Sequence, residues 1–143
     1  MKCIIYKNKV GGVCIVYPVF NCGLSFEEIV AKDVPAGVEY KIIENNLIPK
    51  DGVFRDAWEF GEEAIEINME KAKETWKNIW RNVRKPILEK LDLEWMRAME
   101  IGNTSKSLEV SQKKQELRDV TNIDLSSICT IEDLKKIWPN CLE

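Results

Sequence analysis

Histidine is missing altogether from the 143 residues. Its absence removes the commonest general base, the imidazole partner of a catalytic serine or cysteine, and the usual Cys/His zinc patterns. Cysteine is present but unpaired in pattern. Cys3, Cys14, Cys22, Cys129 and Cys141 are odd in number and form no C-x-x-C step. They read as free, reduced thiols of a cytosolic protein rather than a disulfide framework. Cys3 and Cys14 could still face each other across a hairpin as core residues. No apolar run approaches the ~20 residues of a membrane span, and the run after Lys2 is too short for a signal peptide. Excess charge of either sign is also lacking. Residues 1–60 carry seven basic and eight acidic side chains, residues 61–104 eight and nine, and residues 105–143 six and seven. No segment is a basic module of the kind that binds nucleic acid through phosphates.

What is present supports a core, since hydrophobic residues make up 45% of the chain. "KCIIYK" at 2–7 is β-branched and aromatic and predicts a strand. "NKVGG" supplies a turn, and "VCIVYP" at 13–18 predicts a second strand stopped by Pro18, the two forming a hairpin. Ser25, with Glu28 three residues on, is a capping box. Phe26, Ile29 and Val30 give the helix behind it one apolar face. "EYKIIE" at 39–44 is a third strand, and "FRDAWEF" at 54–60 either a last short strand or an extended arm.

Beyond Gly61 the period changes. Ile65, Met69, Ala72, Trp76, Ile79, Val83 and Ile87 recur at spacings of three and four, which predicts a helix over 62–91 with a buried stripe. Acidic residues near its start and basic ones later suit the helix dipole. Pro86 predicts a kink or break near Lys85. Asp92 is then the cap of a further helix over 93–101, ended by Gly102 and Asn103. Ser105 or Ser107 starts another helix that reaches about Asp119, and Thr130 with Asp133 caps a last one over 131–138, stopped by Pro139. On this reading Leu88, Leu91, Trp95, Met96 and Met99 close a core around the joint at Pro86.

Candidate chemistry is sparse. Glu27 and Glu28 are adjacent carboxylates, but neighbouring helix positions point apart and capping accounts for Glu28. "VGGV" lacks the G-x-x-x-x-G-K pattern of a phosphate cradle and reads as a hairpin turn. Lys77, Arg81, Arg84 and Lys85 line one side of the long helix, either to meet phosphate or an acidic partner, or as a solvated face paired with local glutamates. Trp76 belongs to the stripe. Trp80 lies at its edge and is either a core ring or an exposed anchor for a partner.

Two stretches carry a resemblance. "GLSFEEIVAKDVPAGVEYKIIE" with "FRDAWEF" resembles the N-terminal half of small proteins encoded in phage and prophage tail regions, mainly of alphaproteobacteria. "RKPILEKLDLEWMRAMEIGN", followed by "KKQELRDVT" and "IEDLKKIWP", is similar to the phage tail assembly chaperone family. That family's pattern is an Arg-rich helix, an apolar step, an aspartate, a helix ending in Leu-Arg-Asp and a closing Trp-Pro. These features fall here on Arg81 and Arg84, Leu88, Asp92, Leu117-Arg118-Asp119 and Trp138-Pro139. Where better-known members place Trp directly after the Asp, this chain has Leu93 and Glu94 before Trp95.

The expectation is an α+β chain. A β-rich module at 1–60, with a hairpin, one or two further strands and a short helix, precedes a helical region at 61–143 built on one long helix. No catalytic, cofactor-binding or metal-binding residue is expected, and a partner surface is placed at Trp80, Arg84, Trp95 and Met99. The resemblance implies a non-enzymatic phage or prophage protein that assists tail assembly by binding a tail component. It would act in the cytoplasm of the host bacterial cell or remain with the virion, alone or as a homo-oligomer. No nucleic acid, membrane or small-molecule substrate is expected. The alternative is a prophage-encoded interaction protein of another kind, either an inhibitor of a host system or a minor virion component.

Overall fold

Alternation along the first strand organises the N-terminal part. In the computed structural model, which describes residues 1–19 and 21–143, β1 (Lys2–Lys7) is the centre of a three-stranded sheet. It pairs antiparallel with β2 (Val13–Val16) on one side and β3 (Tyr40–Glu44) on the other. The β1–β2 turn is built by Asn8, whose side-chain oxygen accepts from the amides of Val10 and Gly12 at 3.0 and 2.8 Å. Gly11 supplies the positive φ of +89° that the turn needs. Successive β1 side chains point to opposite faces. Cys3 and Ile5 pack with Val13, Ile43, Ile48, Trp58 and Ile65 on one face, and Ile4 packs with Ile29 and Val34 on the other.

Each face has its own cover. The Ile4 face takes α1 (Phe26–Asp33), started by the expected capping box of Ser25 and Glu28. The Cys3 face takes a second, two-stranded sheet of β4 (Trp58–Phe60) and β5 (Ile65–Ile67). Gly61 turns that hairpin, and a Cβ there would run into the Glu66 side chain. Lys41 secures the turn, donating to the carbonyls of Gly61 and Glu62, both at 2.5 Å, and resting 4.5 Å from the centre of the Phe60 ring.

β5 corrects one expectation. Ile65 is a strand residue, not the first rung of a helical stripe. The helix begins later, as α2 (Met69–Glu100), where Asn68 accepts from the Lys71 amide at 3.2 Å in the manner of an N-cap. The compact units are Met1–Ala72 and Lys73–Glu143.

The second unit corrects another. α2 runs unbroken for 32 residues with Pro86 inside it. The proline removes one donor, the one that would bond the Asn82 carbonyl. Both residues are exposed, so water can take that carbonyl, while buried Trp80, Leu91 and Ala98 hold the helix on its other side. Asp92 therefore caps nothing. It is mid-helix, and its carboxylate pairs with Lys114 at 2.5 Å. Gly102, at φ +68°, ends α2. Asn103, rather than Ser105 or Ser107, caps α3 (Thr104–Asp119), accepting from the Lys106 amide. The remainder is irregular apart from α4 (Ile131–Lys136), capped as expected by Thr130, and short 3₁₀ turns. Among the described residues no helix is long and apolar enough to cross a membrane.

Candidate functional site

The four expected partner-binding residues separate into two structural and two surface positions. Trp80 is 0% exposed and among the largest enclosed side chains, so the expected exposed anchor is corrected. The buried line of α2 runs through Ala72, Trp76 and Trp80, while Ile79 and Val83 of the expected stripe are only half-buried, and this turns the ring inward. Its indole nitrogen is buried with no hydrogen-bond partner. Arg84 is also taken up internally. It donates to the carbonyls of Leu117 and Arg118 at 3.1 and 3.0 Å. The guanidinium adds a charged donor where α3 runs out, and the Arg118 carbonyl also accepts from the Thr121 hydroxyl at 3.4 Å.

Trp95 is half-buried on α2, with the Lys114 ammonium 5.8 Å from its ring centre. The same ammonium bridges to Asp92, so Lys114 ties α3 to the second half of α2 through a charge pair and a ring face. Met99 is on the surface at 53% exposure, with Met96 at 48% and Leu93 at 52%. The joint expected at Leu88–Met99 is thus only partly a core. Leu91 is buried, Leu88 and Trp95 are half-buried, and the two methionines face out. Leu93, Met96 and Met99 form a row at helical spacing of three along an otherwise charged surface. Ile101, at 77% exposure, follows at the helix end.

Two residues of the basic run, Arg81 and Arg84, are engaged within the fold. Arg81 Nη1 meets Glu74 at 2.6 Å and also bonds Asn78, and Arg84 caps α3. A shallow hollow of about 390 Å³ lies beside Arg81, Arg84, Lys85 and Leu88. Asp124 is held below the usual carboxylate range, chiefly by hydrogen bonds from Ser126, with Lys77 and Lys73 adding to the effect.

In the first unit, a cleft of about 320 Å³ is lined by Asn8, Cys14, Arg55, Asp56, Trp58 and Lys71. Three of its polar side chains already serve the fold. Asn8 builds the turn, Arg55 lies 5.9 Å from the Trp58 ring centre, and Lys71 meets Glu59 at 2.7 Å. The Lys71 hydrogen bond, and then that from Asn68, hold the Glu59 carboxyl below its ordinary range.

All five cysteines are free. Cys3 and Cys14 do not face each other, because Cys14 registers with Tyr6 and Cys3 with Ile43, on opposite faces of the sheet. A hydrogen bond with Cys14 raises the Tyr6 phenol, and burial raises the Cys3 and Cys141 thiols, which keeps both protonated. Among the described residues no group of three or more Cys, Asp or Glu side chains is placed to hold a metal ion.

Sequence reasoning missed the Arg84 cap and the Lys41 bridge, since both depend on carbonyls far away in the chain. It also missed the outward turn of Met96 and Met99. Their positions, with that of Leu93, carry that signal, because at about 100° per residue all three fall roughly 80–160° around the helix from the Leu91 and Ala98 stripe. No protein-family model, curated protein or solved structure matches the chain.

Proposed function

We propose that this chain is a non-enzymatic phage or prophage protein, acting in the host cytoplasm, that assists tail assembly by binding a tail component. The observation that carries this reading is the apolar row Leu93, Met96 and Met99, about half exposed on a stretch of α2, 89–100, whose other exposed residues are charged. Single exposed apolar residues are ordinary, whereas a contiguous row favours a partner. Methionine suits a surface that must accept an assembly intermediate, since its unbranched thioether adapts to irregular partners. The resemblance of "RKPILEKLDLEWMRAMEIGN" and "IEDLKKIWP" to tail assembly chaperones supplies the identity of the partner class.

The site differs from the one expected at sequence level. Trp80 and Arg84 leave it for structural roles, Met99 stays, Trp95 flanks it, and Leu93 and Met96 join it. Co-expression tests the reading. The tail component encoded beside this chain should remain soluble when co-expressed with it and precipitate when expressed alone. A tail component equally soluble in both cases would contradict the proposal.

A further inference from the structure

The three-stranded sheet has an edge on either side, and the ladder fixes which backbone groups each edge presents. The Asn8 amide donates to the Gly12 carbonyl at 2.9 Å, and the Asn45 amide donates to the Met1 carbonyl at 2.8 Å. These bonds continue the registers of β1 with β2 and with β3. Bonded and non-bonded pairs alternate along an antiparallel ladder. Even-numbered residues of β1 therefore bond to β2, and odd-numbered ones to β3. Opposite Cys3 and Ile5, Ile43 and Lys41 turn their amides and carbonyls inward. Tyr40, Ile42 and Glu44 turn theirs outward, where no strand of the described residues pairs with β3. On the other edge β2 turns out those of Val13 and Ile15.

The two edges are protected differently. Exposed edges are commonly blunted by charged side chains, proline or bulges. β2 begins in the cleft lined by Arg55, Asp56 and Lys71, so charged side chains stand beside it. β3 has no proline, and its pairing with β1 runs without a bulge from Tyr40 to Glu44. Its one lysine is committed elsewhere, since Lys41 donates to the carbonyls of Gly61 and Glu62 on the Cys3 face. On the opposite face α1 covers Ile4, yet Tyr40 and Ile42 beside it remain 42% and 41% exposed.

We propose that β3 pairs with β3 of a second copy of this chain, antiparallel about a two-fold axis at Ile42, joining the three strands of each copy into one continuous sheet. The edge recognises an extended backbone, and the register shows that the same strand fits it. Centred on Ile42, each outward residue meets an outward residue of the copy, Ile42 opposite Ile42 and Tyr40 opposite Glu44. Lys41 stands opposite Ile43, so no like charges are directly opposed. The neighbouring registers fail. Centred on Lys41, the two lysines face each other, and centred on Ile43, Tyr40 falls opposite Asn46, outside the strand. The inference is independent of the tail-assembly reading and concerns a different surface from the Leu93–Met99 row. The 5 residues of β3 make a small interface, which places the association at roughly 10 μM to 1 mM.

Three measurements test it. Sedimentation velocity of the unmodified chain across that range should show monomer and dimer in exchange, and a chain that stays monomeric throughout would overturn the proposal. Hydrogen exchange then locates the contact. Raising the concentration over the same range should slow the amides of Tyr40, Ile42 and Glu44 at least about three-fold and leave those of Val13 and Ile15 on the other edge unchanged. A dimer that leaves the three β3 amides unchanged would put the contact elsewhere and overturn the proposal. Finally, Ile42→Pro removes an outward N–H and none that bonds β1, and should weaken the dimer at least about ten-fold. Undiminished association of the folded variant would overturn the pairing. If the variant fails to fold, sedimentation and exchange of the unmodified chain decide.

Discussion

At the scale of single residues, two tryptophans one turn apart have opposite hydrogen-bond fates. The Trp76 indole has the Ile137 carbonyl as acceptor, whereas the buried Trp80 indole has none. A buried donor without a partner costs about 1–3 kcal/mol. Trp80→Phe removes that donor along with some volume and should lose less stability than Trp76→Phe, which strands a carbonyl. Trp80→Ala should cost about 3–5 kcal/mol through the cavity it leaves. Urea denaturation of the three variants checks the order, and a Trp80→Ala loss below about 1 kcal/mol would mean that the ring is not enclosed. Arg84→Met should cost about 1–2 kcal/mol by removing the charged donor from the carbonyls of Leu117 and Arg118. The thiols should alkylate in order of access and ionisation. Exposed Cys22 and Cys129 react first, and Cys3, enclosed and held protonated, reacts last. Timed labelling of the native protein with mass spectrometry reads that order. At Glu59 the folded carboxyl titrates below its unfolded value. Its contribution is therefore present above the ordinary carboxylate pKa and lost as pH falls through the folded value. Glu59→Gln should remove that part of the acid dependence of stability.

At the scale of elements, legibility followed the range of the determining interactions. β1, the Ser25 capping box, the Thr130 cap and the Gly102 stop are set by neighbours within a few residues, and each stands where the local pattern placed it. The start of α2 was misplaced because Ile65 lies four residues before Met69, a spacing that suits a helix. The Ile-Glu-Ile alternation of 65–67 is equally a strand, and pairing with Trp58–Phe60 decided between them. Pro86 misled in the other direction. A proline breaks a helix when nothing else holds it, and here packing on the buried side outweighs one lost bond on the exposed side. Pro86→Ala should accordingly stabilise the chain by about 1–3 kcal/mol. Thermal unfolding checks this, and an unchanged or lowered midpoint would show that the ring has a packing role at the surface. Of the candidate site, Met99 was legible and Trp95 partly so. Trp80 and Arg84 were not, because their roles depend on what lies across the helix pair rather than on their own segment.

At the scale of the whole molecule, the α+β order holds, with two small sheets and α1 in the first unit and a long helix, its shorter partner and an irregular tail in the second. Each unit has its own interior, and the apolar row Leu93, Met96 and Met99 lies outside the second one. The proposed role requires that row to meet a tail component. The most direct measurement places a photo-crosslinking residue at Met96, and in a control chain at exposed Gln112 of α3, in cells that are producing phage particles. Met96 should give an adduct with a tail component and Gln112 none. Adducts at Met96 with host proteins alone would contradict it and favour the inhibitor reading, and equal adducts from both positions would show that the row is not the binding surface.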